Sequence, residues 1–220
     1  YNMPANGLMV LAAQLPVYLL SYYYQIESTG HFTLAYSITA APIQVLGLSI
    51  ASVYYQKAAE ATQTAVEKVR ALTQKLFNRL ILLGAVPFGL LVTFGREIFM
   101  VVFGSNWETA GNFASYLAFM AFCNFISVSF TSLYRVFRRE KLQFLINLSG
   151  SILLCLGMFI ALRFGTEHYL VVTFSAISAV VYLYSIGMAF RLIGINPFKS
   201  LLSMVGSIGL VVIVLHLLFR

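Results

Sequence analysis

The chain has 220 residues, of which 60% are hydrophobic and only 10% charged, and its mean hydropathy is +0.86. A soluble domain is roughly 45–50% apolar and about 25% charged, so the apolar excess faces lipid as well as protein, and a water-soluble globule is excluded. The net charge of +7 does not point to nucleic acid, because the basic residues stand at the ends of long apolar stretches, where they anchor against anionic lipid heads.

A helix that crosses the hydrocarbon core needs about 20 apolar residues. Seven segments qualify, over about 4–24, 32–55, 79–95, 110–134, 142–162, 168–190 and 200–219. The pattern predicts an all-α, polytopic transmembrane bundle of about seven spans. The chain opens at Tyr1 with no charged n-region and cleavage site, so no signal peptide is read and a piece of a longer chain is expected.

The first span carries Gln14 two residues before Pro16, and Tyr18 one turn beyond Gln14. Residues four apart share a helix face, so Gln14 and Tyr18 are candidates to line a cavity. The Tyr22–Tyr24 run reads as an aromatic belt at the interface. The second span repeats the theme with Pro42 and Gln44, and the third carries Pro87. Each proline removes an amide donor and is expected to bend its helix, freeing carbonyls that a cavity or a neighbour must satisfy. Bent helices suit a transporter that rocks between two open states; ordinary packing is the competing reading of each proline.

Between the second and third spans, residues 57–78 are rich in Ala, Gln, Glu and Lys and hold no Gly or Pro. Val66, Val69, Leu72, Leu76 and Leu80 follow a helical rhythm, and Glu67 precedes Arg70 by three residues, a weakly stabilising pair. An amphipathic connector helix running into the third span is expected. That span is short before Gly95, and Arg96–Gly104 is expected to form a short interfacial helix.

In the fourth span, Asn124, Ser127 and Thr131 make a polar stripe; in the fifth, Gln143, Asn147 and Ser151 do the same. Such stripes turn away from lipid, towards a neighbouring helix or a cavity, and Asn124, Ser127, Asn147 and Gln44 join the cavity-lining candidates. Cys123 and Cys155 fall mid-span without a His cluster, as small packing residues, and no metal site or cofactor is expected. His216, near the end of the seventh span, reads as interfacial.

Eleven of the fourteen basic residues lie on alternate connections. They are Lys57, Lys68, Arg70, Lys75 and Arg79 in the first; Arg135, Arg138, Arg139 and Lys141 in the second; and Arg191 and Lys199 in the third. Arg96, Arg163 and Arg220 fall on the other side. The positive-inside rule then places the rich side in the cytoplasm, with the start of the chain inside and its end outside. All seven acidic residues are Glu and none lies near a span centre. Paired carboxylates at the midplane would signal cation coupling.

The loop Phe103–Gly111, FGSNWETAG, is similar to the FG-x-x-W-x-x-AG signature of bacterial O-antigen and polysaccharide flippases of the Wzx type, carried by Phe103, Gly104, Trp107 and Gly111. Thr29–Pro42 (TGHFTLAYSITAAP) and Ser49–Ala61 (SIASVYYQKAAEA) resemble further passages of that family, except that Tyr55 and Gln56 stand where it often has Pro. In this loop Gly104 is expected to end a helix, Trp107 to anchor at the headgroups and Ala110–Gly111 to open the next span.

The family shares a superfamily with MATE exporters and lipid II flippases. The resemblance implies a two-lobe, MATE-like transporter. Residues 1–190 would be its second six-helix lobe and 191–220 an additional helix. The implied function is a flippase, not an enzyme. It would move an undecaprenyl-diphosphate-linked O-antigen, capsule or exopolysaccharide unit across the bacterial inner membrane by alternating access. Implied partners are that lipid-linked glycan, membrane lipid, the first lobe of the same protein and glycan polymerase or assembly proteins. Arg135, Arg138, Arg139 and Lys141 are candidates for a basic mouth that attracts the diphosphate, or equally a topology anchor. The alternatives are a MATE-like cation-coupled antiporter, which needs a buried carboxylate, and a membrane-embedded polymerase or transferase or a non-transporting subunit.

Overall fold

The computed structural model describes residues 2–63 and 65–218, with side chains from Ala12 onward. Among these residues there is helix and no strand. The first span is the helix α1 (Asn2–Tyr23). Its 22 residues reach about 33 Å at 1.5 Å per residue, the thickness of a hydrocarbon core. Up to Leu11 it is described by its backbone alone, and Arg220 lies outside the described residues.

The second span is longer than expected. It joins α2 (Ile26–Pro42), a π-helical turn (Ile43–Gly47) and α3 (Leu48–Thr62) without a break. The widened turn follows Pro42 directly, where the missing amide disturbs the hydrogen-bond ladder. Then α4 runs for 38 residues, Val66–Phe103, about 57 Å. The expected connector is therefore divided: its first residues extend α3, and from Val66 it is the first half of α4. The pair α3–α4 is a helical hairpin that extends past the hydrocarbon core. Its buried stripe is Val69, Thr73, Phe77 and Leu80, whereas Val66, expected on that stripe, is exposed.

The short helix expected over Arg96–Gly104 is set off at the end of α4 by a kink at Phe94 (φ −122°, ψ 19°) and runs to Phe103; Phe99 within it is fully buried. Kinks arise where a group inserts into the helical ladder. Here the Ser115 hydroxyl donates to the Leu91 carbonyl at 3.0 Å, the acceptor that faces the Gly95 amide in a regular helix. A side chain of the next span, whose hydroxyl also lies 3.3 Å from its own Gly111 carbonyl, thus meets the ladder at the kink. Pro87 lies seven residues earlier; α4 continues through Pro87, and α1 through Pro16.

The centre of the bundle is α5 (Glu108–Phe130): 72% of the residues in the apolar 18-residue stretch of this span are buried, against 11% in that of the last helix. Its alternation of Ala110, Ala114, Ala118 and Ala121 with Phe113, Phe122, Phe125 and Phe130 explains why. Small residues admit α2, α4 and α8, and the rings fill the gaps between them. Phe77, Phe130 and Phe190 meet with centroids 5.1–6.1 Å apart, and the Tyr54 ring joins Phe130 at 5.4 Å. Such pairs contribute about 0.5–1.5 kcal/mol each beyond area burial.

After the short α6 (Ser132–Val136) come α7 (Glu140–Ala161), α8 (Glu167–Leu192) and α9 (Pro197–Leu218). The last packs on α4 and α8, and Leu202, Leu210, Ile213 and Leu217 are exposed along it. Six segments of the described residues are long and apolar enough to cross a membrane, and the fold is a polytopic helical bundle.

Candidate functional site

The two ends of the bundle differ in chemistry. At one end the α1–α2, α4–α5 and α7–α8 connections come together: the Ser28 hydroxyl donates to the Glu167 carboxylate, and the His31 ring meets Trp107 edge-on at 5.5 Å. Arg96 and Glu108 pair at 2.7 Å across the α4–α5 connection. At the other end Arg70 donates to the Ile193 carbonyl at 3.0 Å, tying α4 to the last turn of α8. There a cation complements the partial negative charge of a helix C-terminus. The expected Glu67–Arg70 pair gives way to this contact. Arg135 stacks 4.8 Å above the Tyr55 ring, joining α6 to α3. Alternate connections therefore do share an end, and the basic ones share one.

The acidic end holds an open, polar cavity of about 580 Å³. Tyr24, Glu27, His31, Thr109 and Glu167 are among its walls. The Tyr24 phenol, protonated at neutral pH as tyrosines ordinarily are, offers a donor there. Carboxylates, an amide, hydroxyls and ring faces in one concavity suit a ligand rich in hydroxyl groups. No local pattern announces this cavity, since Ser28 and Glu167 stand 139 positions apart; their common feature is only that they flank connections on one side. Nearby, His168 packs against Phe113 and Tyr116 at 5.4 and 5.9 Å, and its Nδ1 is buried with no partner among the described residues.

The loop singled out in the sequence proves structural. Gly104 adopts φ +98°, ψ 167°, a region essentially closed to other residues. Gly111 lets two backbones touch: a Cβ there would lie 2.6 Å from the Arg96 Cα and 2.7 Å from the Gly95 carbonyl oxygen. Phe103 packs on Phe99 at 5.3 Å. Trp107 is half-buried at this end of the bundle, against His31 and the core.

This loop closes the stretch that matches known proteins. Residues 1–112, more than half of the chain, match the family model described as polysaccharide biosynthesis protein. The chain belongs to the polysaccharide biosynthesis protein family. No curated protein matches it significantly, and no solved structure does. Membership and the six apolar helices make this a multi-pass membrane protein of the polysaccharide biosynthesis family.

The cavity-lining candidates separate in the structure. Ser127 is buried and Asn124 half-buried on the central α5, and neither lines a described cavity. Thr131 of the same stripe donates to the Val128 carbonyl at 2.8 Å. Asn147 is buried at a slot between α1, α2, α7 and α8, but the slot holds only about 50 Å³, room for a water or two. Gln14 and Gln44 are exposed, as is Tyr18 at 63%, on the adjacent α1 and α2–α3 spans. Neither glutamine amide has a hydrogen-bond partner among the described residues. Thr33, Ser37, Ser49 and Ser52 are also exposed on the second span, with hydroxyls returned to carbonyls of their own helix.

Of the basic candidates, Arg135 is held by Tyr55, while Arg138, Arg139 and Lys141 are exposed. Arg138 has φ +54°, left-handed backbone at the end of α6. Among the described residues no group of three or more His, Cys, Asp or Glu is placed to hold a metal. Cys123 is buried and Cys155 half-buried, both free.

Proposed function

We propose that this chain is one lobe of a flippase that carries a polyprenyl-diphosphate-linked oligosaccharide, of the O-antigen, capsule or exopolysaccharide type, across the bacterial inner membrane. The observation that carries this reading is the pair of exposed amides Gln14 and Gln44 on adjacent spans, both without a partner among the described residues. An amide without a partner in hydrocarbon costs several kcal/mol. These surfaces therefore face water or a polar partner. A first lobe across from α1 and α2 supplies the other wall of a central path, as in MATE-like transporters of the Wzx type.

The chemistry of the ends supports a direction. The basic end, placed in the cytoplasm by the positive-inside rule, receives the diphosphate near Arg135, Arg138, Arg139 and Lys141. The polar cavity around Glu27 and Glu167 lies where the glycan leaves. The π-helical turn after Pro42 and the kink at Phe94 are the places where long spans can flex as the lobes rock. No bond is made or broken. The reading is tested by reconstituting the two-lobe protein and following a fluorescent lipid-linked saccharide between leaflets. Q14L/Q44L is expected to lower the transport rate at least tenfold with helicity unchanged. Wild-type transport by that variant would remove the path from this face.

A further inference from the structure

The hairpin of α3 and α4 encloses a second cavity, of about 360 Å³, that the transport reading does not use. Its walls are apolar, with Ile50, Val53, Leu72 and Leu76, and its rim carries Lys57, Lys75 and Arg79. No carboxylate lines it, and none of the three cations forms an ion pair among the described residues. The floor is closed by the buried bond between the Tyr54 and Thr73 hydroxyls, 2.6 Å long. It therefore offers no unsatisfied polar group, and the chemistry on offer is three positive charges above a greasy cleft.

What lies beyond the cations decides the occupant. On α4, Lys75 and Arg79 are one turn apart, about 6 Å along the axis. The same face continues at helical spacing through Leu82, Leu83 and Val86, which are 76%, 50% and 51% exposed. On the facing helix Lys57 is followed inward by Val53, and the π turn adds Val45 and Leu46, all exposed. An apolar track thus leads from the cation cluster along both helices into the bilayer. A soluble phosphate would use the charges and leave the track bare; a lipid uses both. Basic pockets between transmembrane helices bind the heads of anionic lipids in this way, with about 1 kcal/mol per Lys or Arg.

We propose that the α3–α4 cleft is a binding site for an anionic phospholipid of the surrounding leaflet. Lys57, Lys75 and Arg79 hold its phosphate, and an acyl chain descends past Leu82, Leu83 and Val86. The site is independent of the transported substrate. Its occupant wedges the hairpin at the point where α3 and α4 leave the hydrocarbon.

The test is lipid retention by the purified full chain, measured by native mass spectrometry during titration with phosphatidylglycerol or phosphatidylcholine. Wild type is expected to retain one phosphatidylglycerol saturably and phosphatidylcholine far more weakly. K57Q/K75Q/R79Q is expected to weaken phosphatidylglycerol binding on the order of a hundredfold, and each single variant about fivefold. R138Q/R139Q/K141Q, which removes the same charge from another connection, is expected to leave it unchanged. V53W fills the cleft with every cation in place and is expected to abolish retention, which separates loss of the site from loss of charge. Equal binding by the first triple variant, equal loss in the second, or saturable retention of a polyprenyl diphosphate but not of phosphatidylglycerol would each overturn the proposal.

Discussion

Replacing Gly111 with alanine tests the packing at the heart of the bundle. The added Cβ would lie 2.6 Å from the Arg96 Cα, 2.7 Å from the Gly95 oxygen and 3.0 Å from the Phe99 Cβ, where ordinary contact is 3.4–4 Å. The two closest atoms are backbone, so no rotamer relieves the clash; α4 and α5 must part by about 1 Å. Overpacking of this kind costs about 1–3 kcal/mol. Alanine also gains up to about 1 kcal/mol over glycine inside a helix, which would mask part of the loss. Gly30 in α2 supplies the reference, since nothing lies within 4 Å of its Cβ position and G30A carries the propensity gain alone. G111A is therefore expected to be about 1–3 kcal/mol less stable than G30A, or lower in Tm by roughly 2–12 °C. Unfolding in mixed detergent micelles is read by circular dichroism and by fluorescence of Trp107, the only tryptophan. Equal midpoints for G111A and G30A would show that α4 and α5 do not meet here and would refute the close approach.

Two further outcomes concern backbone irregularities. S115A removes the hydroxyl on the Leu91 carbonyl and is expected to cost about 1–2 kcal/mol in the same unfolding assay; no loss would mean that α4 heals its own kink. R138G relieves a left-handed residue that costs an L-amino acid roughly 1–2 kcal/mol. It is expected to raise the unfolding midpoint, whereas R138A, with the same φ +54°, is expected not to; equal behaviour of the two variants would remove the strain argument.

Much of the bundle was legible because lipid imposes a coarse rule. Long apolar runs bounded by charge fold as helices, and each of the seven expected segments is mostly helix among the described residues. Positive charge on alternate connections was also a geometric statement, met by Arg70 on Ile193 and Arg135 on Tyr55 at one end. Details depending on a distant partner were not legible. Arg70 looked like half of a local pair with Glu67, but a carbonyl 123 positions away outcompetes that weak, solvated interaction. Gly95 marked the end of a regular span correctly, yet the hydroxyl that meets the ladder there, that of Ser115, is on another helix. The polar stripe of α5 gave no sign that α5 would be the central helix, with Ser127 buried and Asn124 half-buried on it. The cavity around Glu27, His31 and Glu167 draws on three separate connections, and only the fold assembles it.

The central claim is that the chain moves a lipid-linked glycan across the membrane. The most direct measurement is the fate of that glycan in a strain lacking the chain: surface polysaccharide together with lipid-linked units in the inner leaflet. Loss of surface glycan with accumulation of lipid-linked units inside, restored by the wild-type chain and not by Q14L/Q44L, is the predicted result. Unchanged surface glycan in the deletion strain would contradict it.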